Sequence, residues 1–155
     1  MSMRDSSSAA DATLLVSRAL LGVVARSVST ALEVVTLPQF RVLVVLSSAG
    51  PMRMGALAGR VHANQSTFSR SMDKIVAGGW AQRSSSPGSR REVLISLTAS
   101  GRALVDEVTE RRHREIAAIL DRLTPPEQES VRAALELFAI AADEYSVEEL
   151  LVLGI

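Results

Sequence analysis

The 155-residue sequence contains no cysteine, so it can form no disulfide, thiolate metal site, cysteine nucleophile or thiol redox switch. Aromatic residues make up only 3% of a chain that is 47% hydrophobic, which predicts a core of Leu, Val, Ile and Ala. No Gly-rich phosphate loop or Gly-x-Ser-x-Gly motif is present, and His62 and His113 share no metal-ligand spacing. We therefore expect one domain that is not an enzyme and that binds no metal or cofactor.

Long hydrophobic runs are also missing. The most apolar segment, residues 12–24 (ATLLVSRALLGVV), is interrupted by Ser17 and Arg18 and is shorter than a membrane span. We expect no secretion signal and no membrane association, and hence a soluble cytoplasmic protein.

The net charge is zero, but the charges are unevenly distributed along the chain. Residues 53–91 carry seven Lys or Arg against one acid, whereas residues 92–155 carry six Arg against thirteen acids. A basic middle segment followed by an acidic one is typical of a protein that binds a polyanion through its centre. The alternative is a chance cluster of charges on a solvated face.

Apolar residues at helical spacing predict long helices at both ends of the chain. Residues 1–10 are expected to be disordered, and a helix is predicted from Asp11 to about Val34. Thr36 and Gln39 form a capping-box pattern that begins a second helix, which runs to about Ser48. Towards the C-terminus, helices are predicted over 98–123 and 124–144, with caps at Thr98 and Thr124, and a short apolar tail opens at Ser146.

The basic middle segment has a different pattern. Two short helices, over 54–61 and 64–79, are separated by a tight turn at His62, and two strands follow over 80–84 and 92–97. Residues 84–91 (SSSPGSRR) then form the tip of a hairpin, with Pro87 and Gly88 as turn residues. This order predicts a mainly α fold with a small β-wing.

The second short helix has the two faces that a DNA-recognition helix requires. Phe68, Met72 and Ile75 fall on the side that anchors it, and small hydroxyl residues and two cations fall opposite. Arg70 is long enough to bond guanine in the major groove, and the arginines of the wing can reach an adjacent minor groove. Asp73 is expected to pair with Arg70 or with a wing arginine rather than to act as a catalytic acid. The candidate DNA-binding residues are Arg60, Asn64, Gln65, Ser66, Thr67, Ser69, Arg70, Lys74, Arg90 and Arg91.

Five blocks of the sequence together resemble the MarR family of winged helix-turn-helix transcriptional regulators. They are TLPQFRVLVVL (36–46), LAGRV (57–61), QSTFSRSMDKIVAGGWAQR (65–83), SRR (89–91) and LTASG (97–101). The resemblance implies a DNA-binding segment over 36–101 and a dimerisation region formed by 11–35 and 102–155, intertwined as one domain. It also implies a homodimer on double-stranded DNA, a repressor on a near-palindromic operator, and release by a small anionic or phenolic effector. The effector pocket is expected between the dimerisation helices and the helix-turn-helix.

The wing departs from the family pattern at Ser89, where the family usually has an Asp before the paired arginines. A serine fixes the direction of a wing arginine less firmly than an aspartate, but it also removes a charge that would repel phosphate. The two effects oppose each other. A second function is therefore kept open: a winged-helix dimer that binds DNA weakly and acts through a protein partner.

Overall fold

The structure is a computed structural model that describes residues 3–63, 65–86 and 89–142, with side chains for 8–63, 67–85 and 93–142. It consists of six α-helices, one short 3₁₀ helix and a three-stranded antiparallel sheet in this part of the chain. The predicted fold class, a mainly α winged helix-turn-helix, is confirmed. The predicted C-terminal tail from Ser146 lies outside the described residues.

Helix α1 spans Met3–Val28. It therefore begins earlier than the predicted start at Asp11, and residues 3–10, expected to be disordered, continue it. It also ends earlier than predicted, and a 3₁₀ helix follows at Ala31–Glu33. Near the end of α1 the hydroxyls of Ser27 and Ser29 donate to backbone carbonyl oxygens three residues earlier. The same kind of bond also occurs inside α1, where the Ser17 hydroxyl donates to Leu14 O, so these bonds do not by themselves end the helix.

The apolar stretch of α1 is longer than the sequence pattern suggested. Ser8–Val28 has a mean hydropathy of 1.5 and is long and apolar enough, by length and composition, to cross a membrane. The segment singled out in the sequence, residues 12–24, is the central part of this longer helix. The end of the helix nevertheless packs on α5: Arg26 forms an ion pair of 2.8 Å with Glu115, and Arg112 Nε donates to the buried Ser27 Oγ at 3.3 Å. Burial lowers the pKa of Arg112. Only the end of this helix is thus packed within the chain, and residues 8–21 are exposed.

Helix α2 spans Leu37–Ala49 and begins at the predicted capping box. The backbone N–H of Thr36 donates to Gln39 Oε1 at 2.8 Å, and the Gln39 N–H donates back to Thr36 Oγ1 at 3.4 Å. All five residues from Val42 to Leu46 are buried. A helix that is apolar on all sides must be covered on all sides, and α2 contacts helices and sheet around it. It is the central helix of the core.

Helices α3 (Met54–Arg60) and α4 (Gln65–Ala77) form the predicted helix-turn-helix. The turn between them is a Schellman motif, in which Ala63 N–H donates to Ala58 O and His62 N–H donates to Gly59 O. His62 adopts φ of 51°, the left-handed conformation that this motif requires. Helix α4 ends in the same way at Gly79, with φ of 77°. The predicted glycine stop is confirmed, whereas the predicted N-cap, Asn64, lies outside the described residues.

The wing is longer than predicted and belongs to a larger sheet. Strands β2 (Ala81–Ser86) and β3 (Ser89–Leu97) pair antiparallel up to Ser86 and Ser89. A two-residue strand that the sequence did not suggest, β1 (Met52–Arg53), pairs with the other edge of β3. The central strand therefore places Ile95 between Met52 and Arg83, and Ile95 is fully buried. The turn residues Pro87 and Gly88 lie outside the described residues.

Helices α5 (Ala99–Leu120) and α6 (Pro125–Ala141) complete the described chain, and each begins at a predicted cap. Thr98 Oγ1 accepts from Gly101 N–H at 3.0 Å. The backbone N–H and hydroxyl of Thr124 both donate to Glu127 and lower the pKa of that carboxyl. Helix α5 packs on α1 and α2, but α6 buries none of its residues. Its apolar side chains, including Leu137 and Ile140, are left uncovered by this chain.

Candidate DNA-binding interface

Helix α4 has a buried side, an exposed cationic side and a third side that lines a cavity described below. Phe68, Met72 and Ile75 are buried and anchor it to the core, as predicted. Arg70 and Lys74 are exposed on the opposite side, one helical turn apart. Because the anchoring residues fix the roll of the helix, the two cations are held outward. A helix anchored and charged in this way can enter the major groove of DNA.

The structure describes the side chains of half of the predicted DNA-binding residues. All five of these side chains are exposed: Arg60, Thr67, Ser69, Arg70 and Lys74. Arg60 lies in the last turn of α3, and the other four lie on α4. The backbones of Gln65 and Ser66 form the first turn of α4, and those of Arg90 and Arg91 lie in β3. The remaining candidate, Asn64, is outside the described residues.

Asp73 lies on the outward side of α4 and pairs with the wing. Arg83 Nη2 on β2 donates to Asp73 Oδ1 at 2.6 Å. Of the two predicted partners of Asp73, the wing arginine is therefore the one observed. Within the described part of the chain, Arg70 takes part in no hydrogen bond or ion pair, so its guanidinium is available for a ligand.

A cavity of about 850 Å³ lies beside the interface. It is open to solvent on one side and is bordered by α1, the 3₁₀ segment, the start of α2, the helix-turn-helix turn and α4, in the region where the sequence predicts an effector pocket. Its wall is mostly apolar, with residues such as Leu21, Val28 and Phe68. Thr67 and Ser71 line it from α4, so the recognition helix forms one side of the cavity. Thr67 thus faces both the cavity and the solvent.

Arg41 brings a cationic side chain into this apolar wall. Its Nε is buried and makes no hydrogen bond among the described residues. A buried donor without a partner costs on the order of 1–3 kcal/mol, and more when the group is charged. Such a group favours an acceptor, above all an anionic one, inside the cavity.

Metal binding has no support in the described residues, since no cluster of three or more His, Asp or Glu that could hold an ion occurs among them. His62 is exposed in the helix-turn-helix turn and His113 is exposed on α5. Both lie where the sequence placed them.

The sequence did not predict the roles of two residues of this site, Arg83 and Arg41. Arg83 belongs to the basic segment, but the sequence does not single it out, although its position at the start of the wing makes it a possible partner for Asp73. Arg41 gave no signal of its own, because it looks like an ordinary helix arginine. The burial of its Nε is visible only in the folded chain.

The fold and this outward basic helix define a winged helix-turn-helix DNA-binding protein. The MarR family profile matches residues 35–93. The chain is 31% identical to the HTH-type transcriptional regulator Mb0904 of Mycobacterium bovis over 110 residues, which are 71% of this chain and 77% of that protein. It superposes on the crystal structure of RV1404 from Mycobacterium tuberculosis with a TM-score of 0.78 and 39% identity, covering 85% of this chain and 90% of the other.

A MepR variant of Staphylococcus aureus bound to an oligodeoxyribonucleotide shares the fold, with a TM-score of 0.66, 17% identity, and coverage of 86% and 96% of the two chains. The chain belongs to the MarR family. It is a DNA-binding transcriptional regulator and not an enzyme, and the predictions of family and enzyme status are confirmed.

Proposed function

We propose that the protein is a cytoplasmic homodimeric repressor that binds a near-palindromic operator and leaves it when a small anionic effector occupies the cavity. The observation that carries the proposal is the three-sided arrangement of α4. One side holds exposed cations, another is anchored in the core, and a third lines an apolar cavity. A ligand in that cavity therefore contacts the same helix that faces DNA.

The dimer is supported by the apolar surface at the opposite end of the chain. From Ala133 to Ala141 helix α6 carries a single charged residue, Glu136, while Glu127, Glu129 and Arg132 lie nearer its start. Leu137 and Ile140 are about 70% exposed, and Leu15 on α1 is similarly uncovered. A largely apolar helix is normally buried. In a two-fold symmetric dimer, the same surface of a second copy would cover it.

Release follows from the geometry of a dimer on DNA. Two recognition helices must enter successive major grooves roughly 34 Å apart. A ligand that binds better to a conformation with another separation shifts the population away from DNA. Since α1 and α4 both line the cavity, a ligand there acts on the dimerisation helix and the recognition helix together.

The DNA contacts are tested by selecting operators from random duplexes with the purified protein and then titrating variants. Arg70→Ala should lose preference for the selected operator, because a base contact discriminates by about 1–3 kcal/mol per bidentate pair. Arg90→Ala or Arg91→Ala should weaken operator and random duplex alike and lower the salt slope by roughly 1 per lost phosphate contact.

The matched control is Arg114→Ala, which removes an exposed arginine from α5, away from α4 and the wing. It should leave affinity and salt slope unchanged. An unchanged slope in both wing variants would exclude the wing contacts. If the selection from random duplexes enriches no sequence, the alternative function is favoured, a regulator that acts through a protein partner.

The effector is predicted to carry one negative charge on an otherwise apolar body, because Arg41 is a cationic donor in an apolar wall. Benzoate and benzamide are suitable probes, since they share a ring and nearly a shape but differ in charge. Benzoate should raise the melting temperature and weaken operator binding. Arg41→Gln should weaken benzoate binding about tenfold or more, the value of one hydrogen bond to a charged group, with little change for benzamide.

Arg102→Gln is the control for this experiment. Arg102 lies on α5, bonds Ser47 Oγ at 3.2 Å, and does not line the cavity. If Arg41→Gln binds benzoate as the unmodified protein does, Arg41 is not the anion-binding group and the predicted effector class is wrong.

A further inference from the structure

We propose that Asp73 and Arg83 are positioning residues that hold the wing at a fixed angle to the recognition helix. This inference rests on the proposed DNA contacts of α4 and the wing. The link is direct: Arg83 Nη2 lies 2.6 Å from Asp73 Oδ1, and it joins α4 to the first wing strand, β2.

The two ends of this link are anchored independently. Arg83 pairs in the sheet with Ile95, which is fully buried, so the base of the wing is fixed to the core. Asp73 follows the buried Met72 on α4, so the helix is fixed there as well. Because both backbones are anchored, an ion pair between them fixes the angle between α4 and the wing.

The pair also neutralises a negative charge on the DNA-facing side of α4. Asp73 is the only acid among residues 53–91, and it lies on the same side of α4 as Arg70 and Lys74. An unpaired carboxylate there would repel DNA phosphates or take Arg70 as its partner. Arg83 neutralises it, and Arg70 is left without an ion pair in the described part of the chain.

This arrangement gives the Ser89 substitution a structural context. The wing of the family is usually braced near its tip by an aspartate, and this chain has Ser89 there. The Asp73–Arg83 pair braces the wing at its base. The direction of the wing thus depends on a contact between its first strand and the recognition helix.

The geometry is tested without DNA by spin labels, which the absence of cysteine makes simple. Ser69→Cys on α4 and Ser85→Cys on β2 introduce two exposed labelling sites, and the distance distribution between them is measured by double electron–electron resonance. Asp73→Asn and Arg83→Gln should each broaden this distribution. Arg111→Gln breaks an exposed ion pair within α5 and should not. An unchanged width in both wing-pair variants overturns the proposal.

The consequence for function is tested by a double-mutant cycle on operator affinity. Each single variant should weaken operator binding about fivefold, the upper range for an exposed ion pair, and the double variant should weaken it no further. Urea unfolding should be nearly unchanged, since the pair is exposed. Losses of affinity that multiply in the double variant would show that the two residues act independently and would overturn the coupling.

The two readouts separate this inference from the proposed function. If the protein selects no operator but the spin-label distance broadens in the variants, the positioning role stands and the DNA contacts fail. If operator selection succeeds and the distance does not change, the positioning role fails alone.

Discussion

At the scale of single residues, Gly101 shows how closely α5 approaches the turn before the wing. A Cβ at this position would lie 2.0 Å from the backbone oxygen of Trp80 and 3.1 Å from Leu97 Cδ2. The same Trp80 oxygen accepts from Thr98 N–H, and Thr98 Oγ1 donates to Gly79 O at 2.6 Å. The LTASG block therefore joins the end of the wing to the start of α5, and its glycine is needed for the close contact.

Gly101→Ala is predicted to destabilise the protein by about 1–3 kcal/mol, the usual cost of overpacking, because the clash is with backbone that cannot rotate away. The measurement is urea unfolding at one protein concentration. Gly55→Ala is the control, since a Cβ at Gly55 meets nothing within 4 Å and Ala is favoured over Gly by roughly 0.5–1 kcal/mol inside a helix. Equal stability of Gly101→Ala and the parent protein would show that the contact relaxes freely.

At the scale of helices and strands, the sequence predicted beginnings better than ends. Each of three helix starts was marked by a threonine, Thr36, Thr98 or Thr124, and the structure shows a side-chain bond at each. Such signals are local, so a sequence carries them completely. The end of α1 and the existence of β1 were missed. Strand β1 has only two residues and forms because β3 offers it a free edge, which is a tertiary contact.

The candidate site also has features that local sequence predicts and features that depend on tertiary contacts. The faces of α4 follow from helical spacing alone, and the structure confirms the buried set of Phe68, Met72 and Ile75. The partner of Asp73 could not be settled from spacing, because Arg70 is near in sequence while Arg83 is near only in the fold. The cavity with Arg41 required the packing of helices that are distant in sequence.

At the scale of the whole molecule, the chain is divided into a packed centre and uncovered ends. Helix α2 and the winged segment around it are buried together in one core cluster. The first half of α1 and all of α6 carry large exposed apolar side chains, among them Leu15, Leu137 and Phe138. Such a division is expected of a subunit whose ends become interior only in an assembly.

The proposed dimer is tested at this scale by Leu137→Glu and Ile140→Glu. Both side chains are exposed in the single chain, so a glutamate costs the monomer little, but at a dimer interface it buries a charge. We expect the dimer dissociation constant to rise about tenfold or more, as for a central interface residue. Sedimentation equilibrium gives this constant directly.

Val93→Glu provides the comparison, because Val93 is also an exposed apolar residue but lies in the wing strand β3. It should leave the dimer constant unchanged. A parent protein that sediments as a monomer at all concentrations would contradict the proposed dimer, and equal effects of all three substitutions would place the interface elsewhere.

The sequence by itself determined the starts of α2, α5 and α6, the two short helices with their turn, the wing and the basic face of α4, because each depends on residues a few positions apart. The tertiary structure decided the partner of Asp73, the third strand, the close approach at Gly101 and the cavity around Arg41. These depend on which segments meet in space, and that is set by the packing of the whole core rather than by any local pattern.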